Sequence, residues 1–425
     1  MRLVWRRPEP DGQPVLWQHA ALIIATLFLN FHFFVYESGL WMRVPLLPAA
    51  AVLFMIALLM AGLFFVGPAL VCQTHQLDIV GAVTRSFGTI PGLATRIVLL
   101  WFLVTWISLV LVGPVFFLAS SFTGIASLTL LVPCLLIFLG VTAAGSLPDC
   151  AALAAFSLKL CTALLIVVLI RVRRELPYAV YGYRLPDEAS NPAELWNLVP
   201  SLVFYIGAPI LLACSLARRM EDRKAVWKTA GAGLVLPLFG ALLIVGIGNV
   251  AVFRSAWYRP SLEPNVAMGL WSGTVQAGRL AAGLLATLTL LGMLRFATRA
   301  SFEVLPRRLR IVSLVFLVGL VTWSFDRDIM FSTRTYTDPP VVVLAMIAAV
   351  LTADALVHKA SQSAPRVDMV ALLSLLVGAA AMEFSRHVDP SYGGRPLVLV
   401  GYAATFGACF AGRFVQRYLA RRFPR

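Results

Sequence analysis

Four basic side chains, Arg96, Lys159, Arg279 and Arg295, fall inside stretches otherwise apolar enough to enter a bilayer. Each would cost a few kcal/mol in contact with lipid, so each should face the protein interior or reach an interface. Lys159, in "AAFSLKLCTALLIV", lies deepest, and Asp149 and Glu37 are carboxylates that could pair with it. Arg295 is the second candidate for a functional buried cation, with Thr287, Thr289 and Thr298 on the same helix. Asp354, Arg279 and Arg386 sit near span ends, where snorkelling toward water is the simpler fate. Trp101 and Trp106 share one span and could stack on a planar ligand, although an aromatic in a span more often packs or anchors at an interface.

Two spans are interrupted. Residues 201–224, "SLVFYIGAPILLACSLARRMEDRK", carry Gly207, Ala208 and Pro209 near the middle. A mid-span proline removes a donor and clashes one turn back, so it survives where the helix lines a cavity or is packed inside protein. Local unwinding there would expose helix ends able to hold a solute; a simple proline kink is the plainer alternative. The first span, "ALIIATLFLNFHFFVYESGLWMR", is broken by Asn30, His32, Glu37 and Gly39. Broken helices five spans apart are the pattern that two inverted five-helix repeats would give.

The elements that must position these residues are membrane helices. With 60% hydrophobic and 13% charged residues among 425, and a mean hydropathy of +0.86, the chain holds more apolar surface than a soluble core can hide. Twelve spans are expected, at 18–42, 46–71, 95–119, 124–142, 149–170, 195–217, 229–253, 275–297, 309–325, 339–357, 367–385 and 396–415. The longest connection, 171–194, is too short for a separate domain. The basic N-terminus reads as a cytoplasmic lead-in, because the apolar run after it is too long for a cleaved signal and lacks a cleavage site.

The 35 Lys and Arg divide as 20 on the side of the N-terminus, the C-terminal tail included, 11 opposite and four inside spans. Both termini are therefore expected in the cytoplasm of a multi-pass cell-membrane protein. The net charge of +15 follows from that topology and from contact with anionic lipid, and a soluble basic face for nucleic acid is missing.

Several chemistries lack their residues. There is no G-x-x-x-x-G-K-[ST] loop for a nucleotide-driven pump, and no H-E-x-x-H for a zinc protease. The six cysteines form no C-x-x-C pair and read as small core residues. No catalytic or metal-ligating set stands out. The 171–194 loop, with Arg173, Arg174, Glu175, Tyr178, Asp187 and Glu188, is polar enough for a membrane transferase but has no nucleophile and base at fixed spacing. Secondary transport of a small molecule is what twelve helices with short loops most commonly serve.

The run "HQLDIVGAVTRSFGTIPGLATRIVLLWFLVTWISLVLVGP" resembles the segment between the second and third helices of the nucleobase/cation symporters, the purine, cytosine and hydantoin permeases. Arg85-Ser86-Phe87-Gly88 stands where that family has Arg-x-Ser-Phe-Gly before a Trp-bearing helix. Gly67-Pro68 falls where its second helix closes, and "LLACSLARRMEDRKAVWKTAGAGL" looks like its sixth-helix ending and Gly-rich seventh helix. The resemblance spans about residues 20 to 305.

It implies an all-α, LeuT-like five-plus-five inverted repeat (18–170 and 195–357) with two extra helices (367–415), of the amino acid, polyamine and organocation superfamily. The implied substrate place lies between the first, third, sixth and eighth helices, with Trp106 or Trp101 stacking and Gly207–Pro209 at the sixth-helix break. Asn30, His32 and Glu37 belong to the same place from the first helix. No cofactor is implied; the companion is a coupling ion, Na+ or H+. Two departures stand out: Ser215 replaces an acidic residue at the sixth-helix end, and Arg295 and Arg299 replace polar, Asn-rich sequence in the eighth. Lys159 or Arg295 as a fixed cation in place of sodium is therefore the expectation. An amino acid or polyamine permease on the same fold, and a non-transporting sensor, are the alternatives.

Overall fold

A computed structural model describes residues 15–29, 46–119, 147–174, 202–255, 333–357, 367–388 and 397–422, all helices and the short joints at their ends. In chain order these are α1 (Trp17–Phe28), α2 (Leu46–Leu59) running through a π-helical segment π1 (Met60–Val66) into α3 (Gly67–His75), α4 (Ile79–Phe87), α5 (Thr89–Ala119) and α6 (Leu147–Val172). The sixth span follows as π2 (Val203–Gly207), α7 (Ala208–Ala213) and a 3₁₀ segment (Cys214–Arg219). After it come α8 (Arg223–Ser255), α9 (Thr333–Val357), α10 (Met369–Val388) and α11 (Leu397–Arg422). The expected fourth, eighth and ninth spans lie outside the described residues.

Helix starts are set by side chains that meet orphan N–H groups. Asp222 accepts from the Ala225 N–H at 2.7 Å, which begins α8 at Arg223 rather than at 229. Asp78 does the same for α4, accepting from Gly81 at 2.6 Å. Each cap satisfies a donor that a helix cannot satisfy itself.

Two small-residue seams bring helices together. The Cβ that Gly233 lacks would sit 3.0 Å from the Ile24 side chain and 3.1 Å from the Ala21 carbonyl, and that of Gly240 would sit 3.0 Å from Leu29. These two glycines, seven apart on one face of α8, let α1 lie close along it. Where α10 crosses α11, a side chain at Gly378 would run into Thr405, and one at Gly401 into Met382. The outer face of α10 (Met369, Leu373, Leu376, Phe384) is exposed and apolar, as a lipid-facing surface should be.

Charge is placed differently from the sequence expectation. Arg413, counted above with the basic tail, is 3% exposed because α11 continues inward-facing through it. Its Nε donates to Asp354 at 2.7 Å and its Nη1 to both oxygens of Asp368, at 3.0 and 2.9 Å. Asp354, expected to snorkel, is likewise buried. Arg386 does sit exposed at a helix end, beside Glu383 at 3.9 Å.

Gly233→Val should cost about 1–3 kcal/mol by forcing α1 off α8. Gly231→Ala, where the added carbon meets open space, should stabilise by a few tenths to about 1 kcal/mol. Melting temperatures of the two purified variants, which should move in opposite directions, check the seam.

Candidate functional site

The sixth span does not unwind at Gly207. Gly207 has φ −65° and ψ −48°, and Ala208 remains helical at −67° and −40°. The chain changes helical register instead: the Ala208 N–H reaches back five residues to the Val203 carbonyl, then α7 follows, then the 3₁₀ segment. The expected break is therefore a π-turn in a continuous helix. Widening the turn is how a helix absorbs Pro209 without the clash against the carbonyl four residues back.

Proline still leaves carbonyls without their donor. Tyr205 is four residues before Pro209 and cannot receive an N–H from it. Its oxygen instead accepts from the indole N–H of Trp106 on α5, at 3.4 Å. Trp106 is 1% exposed. Phe102, one turn earlier on α5, meets Phe204 edge-on at 5.5 Å between centroids, and Phe204 meets Tyr205 edge-on at 5.0 Å. Four aromatic side chains thus gather around the π-turn within the spanning region.

The second span repeats the device. There π1 leads into Gly67-Pro68, and the carbonyls left short are Phe64, four residues back, and Leu63, five back. The Cys214 thiol lies 3.4 Å from the Phe64 oxygen, and the Tyr402 hydroxyl donates to Leu63 at 3.2 Å. Tyr402 also bonds Thr352 Oγ1 at 3.1 Å. The two π-turns touch: a Cβ on Gly207 would lie 3.2 Å from Met60 and 3.4 Å from Phe64. Gly207, Ala208 and Pro209 are all buried, packed against the second span.

The structure separates the two tryptophans. The inward stripe of α5 is Leu99, Phe102, Leu103 and Trp106, whereas Trp101 is 44% exposed. Lys159 also parts from its expected place and stands exposed on α6. The buried positions there are Ala151, Ala154, Ser157, Cys161 and Leu165. Lys159 is two residues, or about 200° of helical turn, from Ser157. That stripe of small residues at spacings of three and four was readable in the sequence, and Lys159 lies off it.

Helix α1 ends at Phe28, and Leu29 has ψ 48°. Its twelve residues rise about 18 Å, short of the roughly 30 Å of a hydrocarbon core. Asn30, His32 and Glu37 follow and lie outside the described residues, as do Arg295 and Thr298. Ser215, where the resemblance implies an acidic residue in the family, accepts the Ile79 N–H at 3.1 Å and so ties α4 to the C-terminal 3₁₀ segment of the sixth span. Sequence reasoning gave no role to Tyr205, Tyr402 or Arg413. For Tyr205 the signal was present in the sequence, as the fourth residue before Pro209, whose carbonyl must find a donor; nothing local marks Tyr402, which donates to Leu63 from 339 positions away.

No known family profile matches the chain, and no curated protein matches it in sequence. Solved structures do match. Mhp1, a nucleobase-cation-symport-1 family transporter in a closed conformation with bromovinylhydantoin bound, superposes with a TM-score of 0.69 at 14% identity, covering 98% of this chain and 95% of that one. The chain has the fold of this transporter. The inward-facing conformation of Mhp1 gives 0.58 at 14% identity over 99% and 96%, so the present arrangement overlays the closed form better. A Na+-coupled sialic acid symporter in a substrate-bound outward-open state gives 0.59 at 10% identity over 95% and 91%. A manganese transporter of Eremococcus coleocola gives 0.53 at 15% identity over 97% and 90%. The all-α, LeuT-like class expected from the sequence is the observed one.

Trp106→Phe should keep the packing but orphan the Tyr205 carbonyl, at a cost of about 1–3 kcal/mol. Pro209→Ala restores a backbone donor, so in that background the same change should cost much less. A double-mutant cycle on thermal unfolding measures the coupling. Additive effects would show that the indole bond does not serve the proline.

Proposed function

We propose that the protein is a secondary active transporter working by alternating access, a divergent relative of the nucleobase-cation symporters. Its solute is a small polar organic molecule, a nucleobase or related heterocycle. The observation that carries this reading is the aromatic cluster of Trp106, Phe102, Phe204 and Tyr205 at a π-turn of the sixth span, within a fold superposing on Mhp1 over nearly the whole chain. A flat heterocycle is a natural partner for aromatic faces. A span that changes helical register at its middle and packs against α1 is the kind of irregular element at which transporters of this fold hold a solute.

In this reading residues 18–170 and 195–357 form the two repeats, and both termini face the cytoplasm, on the side where Lys and Arg are concentrated. The binding place takes Trp106 and the Gly207–Pro209 turn together with Asn30, His32 and Glu37 from the first span. Trp101 and Lys159 are on outer faces and serve as lipid-facing and interface-reaching side chains. The fixed-cation role then passes from Lys159 to Arg295. Other proteins on this fold are described as carrying sialic acid or manganese, so the aromatic cluster rather than the fold chooses the solute class.

The test is a ligand-shift unfolding screen on purified protein with nucleobases, hydantoins, amino acids and polyamines, with and without sodium, followed by uptake into proteoliposomes. A bound heterocycle at 100 times its dissociation constant should stabilise the fold by about 2.7 kcal/mol. Stabilisation only by amino acids or amines would discard the heterocycle and leave the transporter; binding without uptake would favour a sensor. Lys159→Ala should leave uptake within about twofold of wild type, as expected of an exposed snorkelling side chain. A strong loss would return Lys159 to the mechanism.

A further inference from the structure

Helix α4 is held at both ends by other parts of the chain. At its start, Ser215 from the 3₁₀ end of the sixth span accepts the Ile79 N–H at 3.1 Å. At its finish, the Ser86 carbonyl accepts from Arg413 Nη2 at 3.2 Å, and the Phe87 carbonyl accepts the Asp368 N–H at 2.8 Å. Gly88 then turns the chain into α5 with φ 103°, a conformation that suits glycine. Arg413 is the hub of the second attachment. Its guanidinium fork holds Asp354 of α9 and Asp368, and Asp368 in turn caps α10 by accepting from Ala371 at 3.1 Å.

Two carboxylates and the Arg413 guanidinium meet in a buried cluster, and the N-terminus of α10 lies against Asp368. Such a cluster contributes little net stability compared with apolar packing, but its geometry is exacting, so it fixes α9, α10, α11 and α4 in one register. Among the described residues, α4 is an element hydrogen-bonded both to the sixth span and to the C-terminal helix pair.

We propose that Arg413 is a positioning residue for the inner gate. It couples the two C-terminal helices, through α4 and Ser215, to the inner end of the span that carries the π-turn. The proposal rests on the transporter reading, because a gate is needed only if that span moves. Closure of the inner face then depends on α4 being clamped at its Ser86-Phe87 end. Releasing the clamp frees α4 and, through Ser215, the Cys214–Arg219 segment.

Hydrogen–deuterium exchange on the full chain in lipid nanodiscs tests this. Arg413→Lys keeps the charge and removes the fork to Ser86. Arg413→Met combined with Asp354→Asn and Asp368→Asn removes all three charges together, so that a folding defect in one variant leaves the other informative. Either variant should speed exchange by roughly tenfold in Ile79–Phe87 and in Cys214–Arg219, leaving Trp17–Phe28 as in wild type. With Ser215→Ala also present, the Arg413 change should still act on Ile79–Phe87 but no longer on Cys214–Arg219. In proteoliposomes, the maximal uptake rate should fall at unchanged half-saturation. Faster exchange confined to α10 and α11, or an equal response of Cys214–Arg219 with and without Ser215, would overturn the proposal. Absence of any uptake by wild type would sink the transporter reading and leave the exchange result to judge the coupling.

Discussion

A backbone carbonyl inside a membrane must find a donor within the protein, and this requirement organises the described core. Pro68 and Pro209 each withhold an N–H, and each is preceded by a π-helical segment that widens the turn. Four carbonyls are then at stake, Leu63, Phe64, Phe204 and Tyr205. Tyr402, Cys214 and Trp106 reach three of them from other helices. The second, third, sixth and twelfth spans are thereby tied together at one level by donors that proline failed to supply. Removing a buried donor in such a place costs about 1–3 kcal/mol, a large share of a typical folding free energy.

The same physics sorts the charges. Lys159 has a long apolar stem and one flexible ammonium, so it can leave a helix face toward an interface, and its position off the small-residue stripe of α6 lets it do so. Arg413 has a planar fork that two carboxylates and a carbonyl can saturate, and it is found buried among them. Its burial converts what resembles an ordinary basic tail into a joint between the last two helices and the rest of the bundle.

The fold is shared with proteins described as handling a hydantoin, sialic acid or manganese. In this chain, aromatic side chains of α5 and of the sixth span meet at π2. A π-turn carries one extra residue per turn while the segment stays helical, which is how the sixth span accommodates Pro209.

The sequence alone determined that the chain crosses a membrane many times, roughly where most of its described spans lie, and that the sixth span is irregular at Gly207–Pro209; the π segment of the second span was not foreseen. Hydrophobic run length and proline position are local properties, and lipid tolerates few alternatives to a helix. The resemblance around Arg85-Ser86-Phe87-Gly88 also pointed to the fold that superposition displays. Tertiary structure alone showed that Gly207 sits in a π-turn instead of a gap, with the Tyr205 carbonyl of that turn met by a donor from Trp106, ninety-nine positions before it. It likewise decided that Trp106 faces the interior and Trp101 does not, although the period of three and four along α5 carried the hint. The carboxylates and the carbonyl that hold Arg413 are 45 to 327 positions distant, and no local pattern marks it from the arginines that follow. Long-range pairing of single polar groups is set by how helices pack, and packing among uniformly apolar helices leaves almost no trace in the order of their residues.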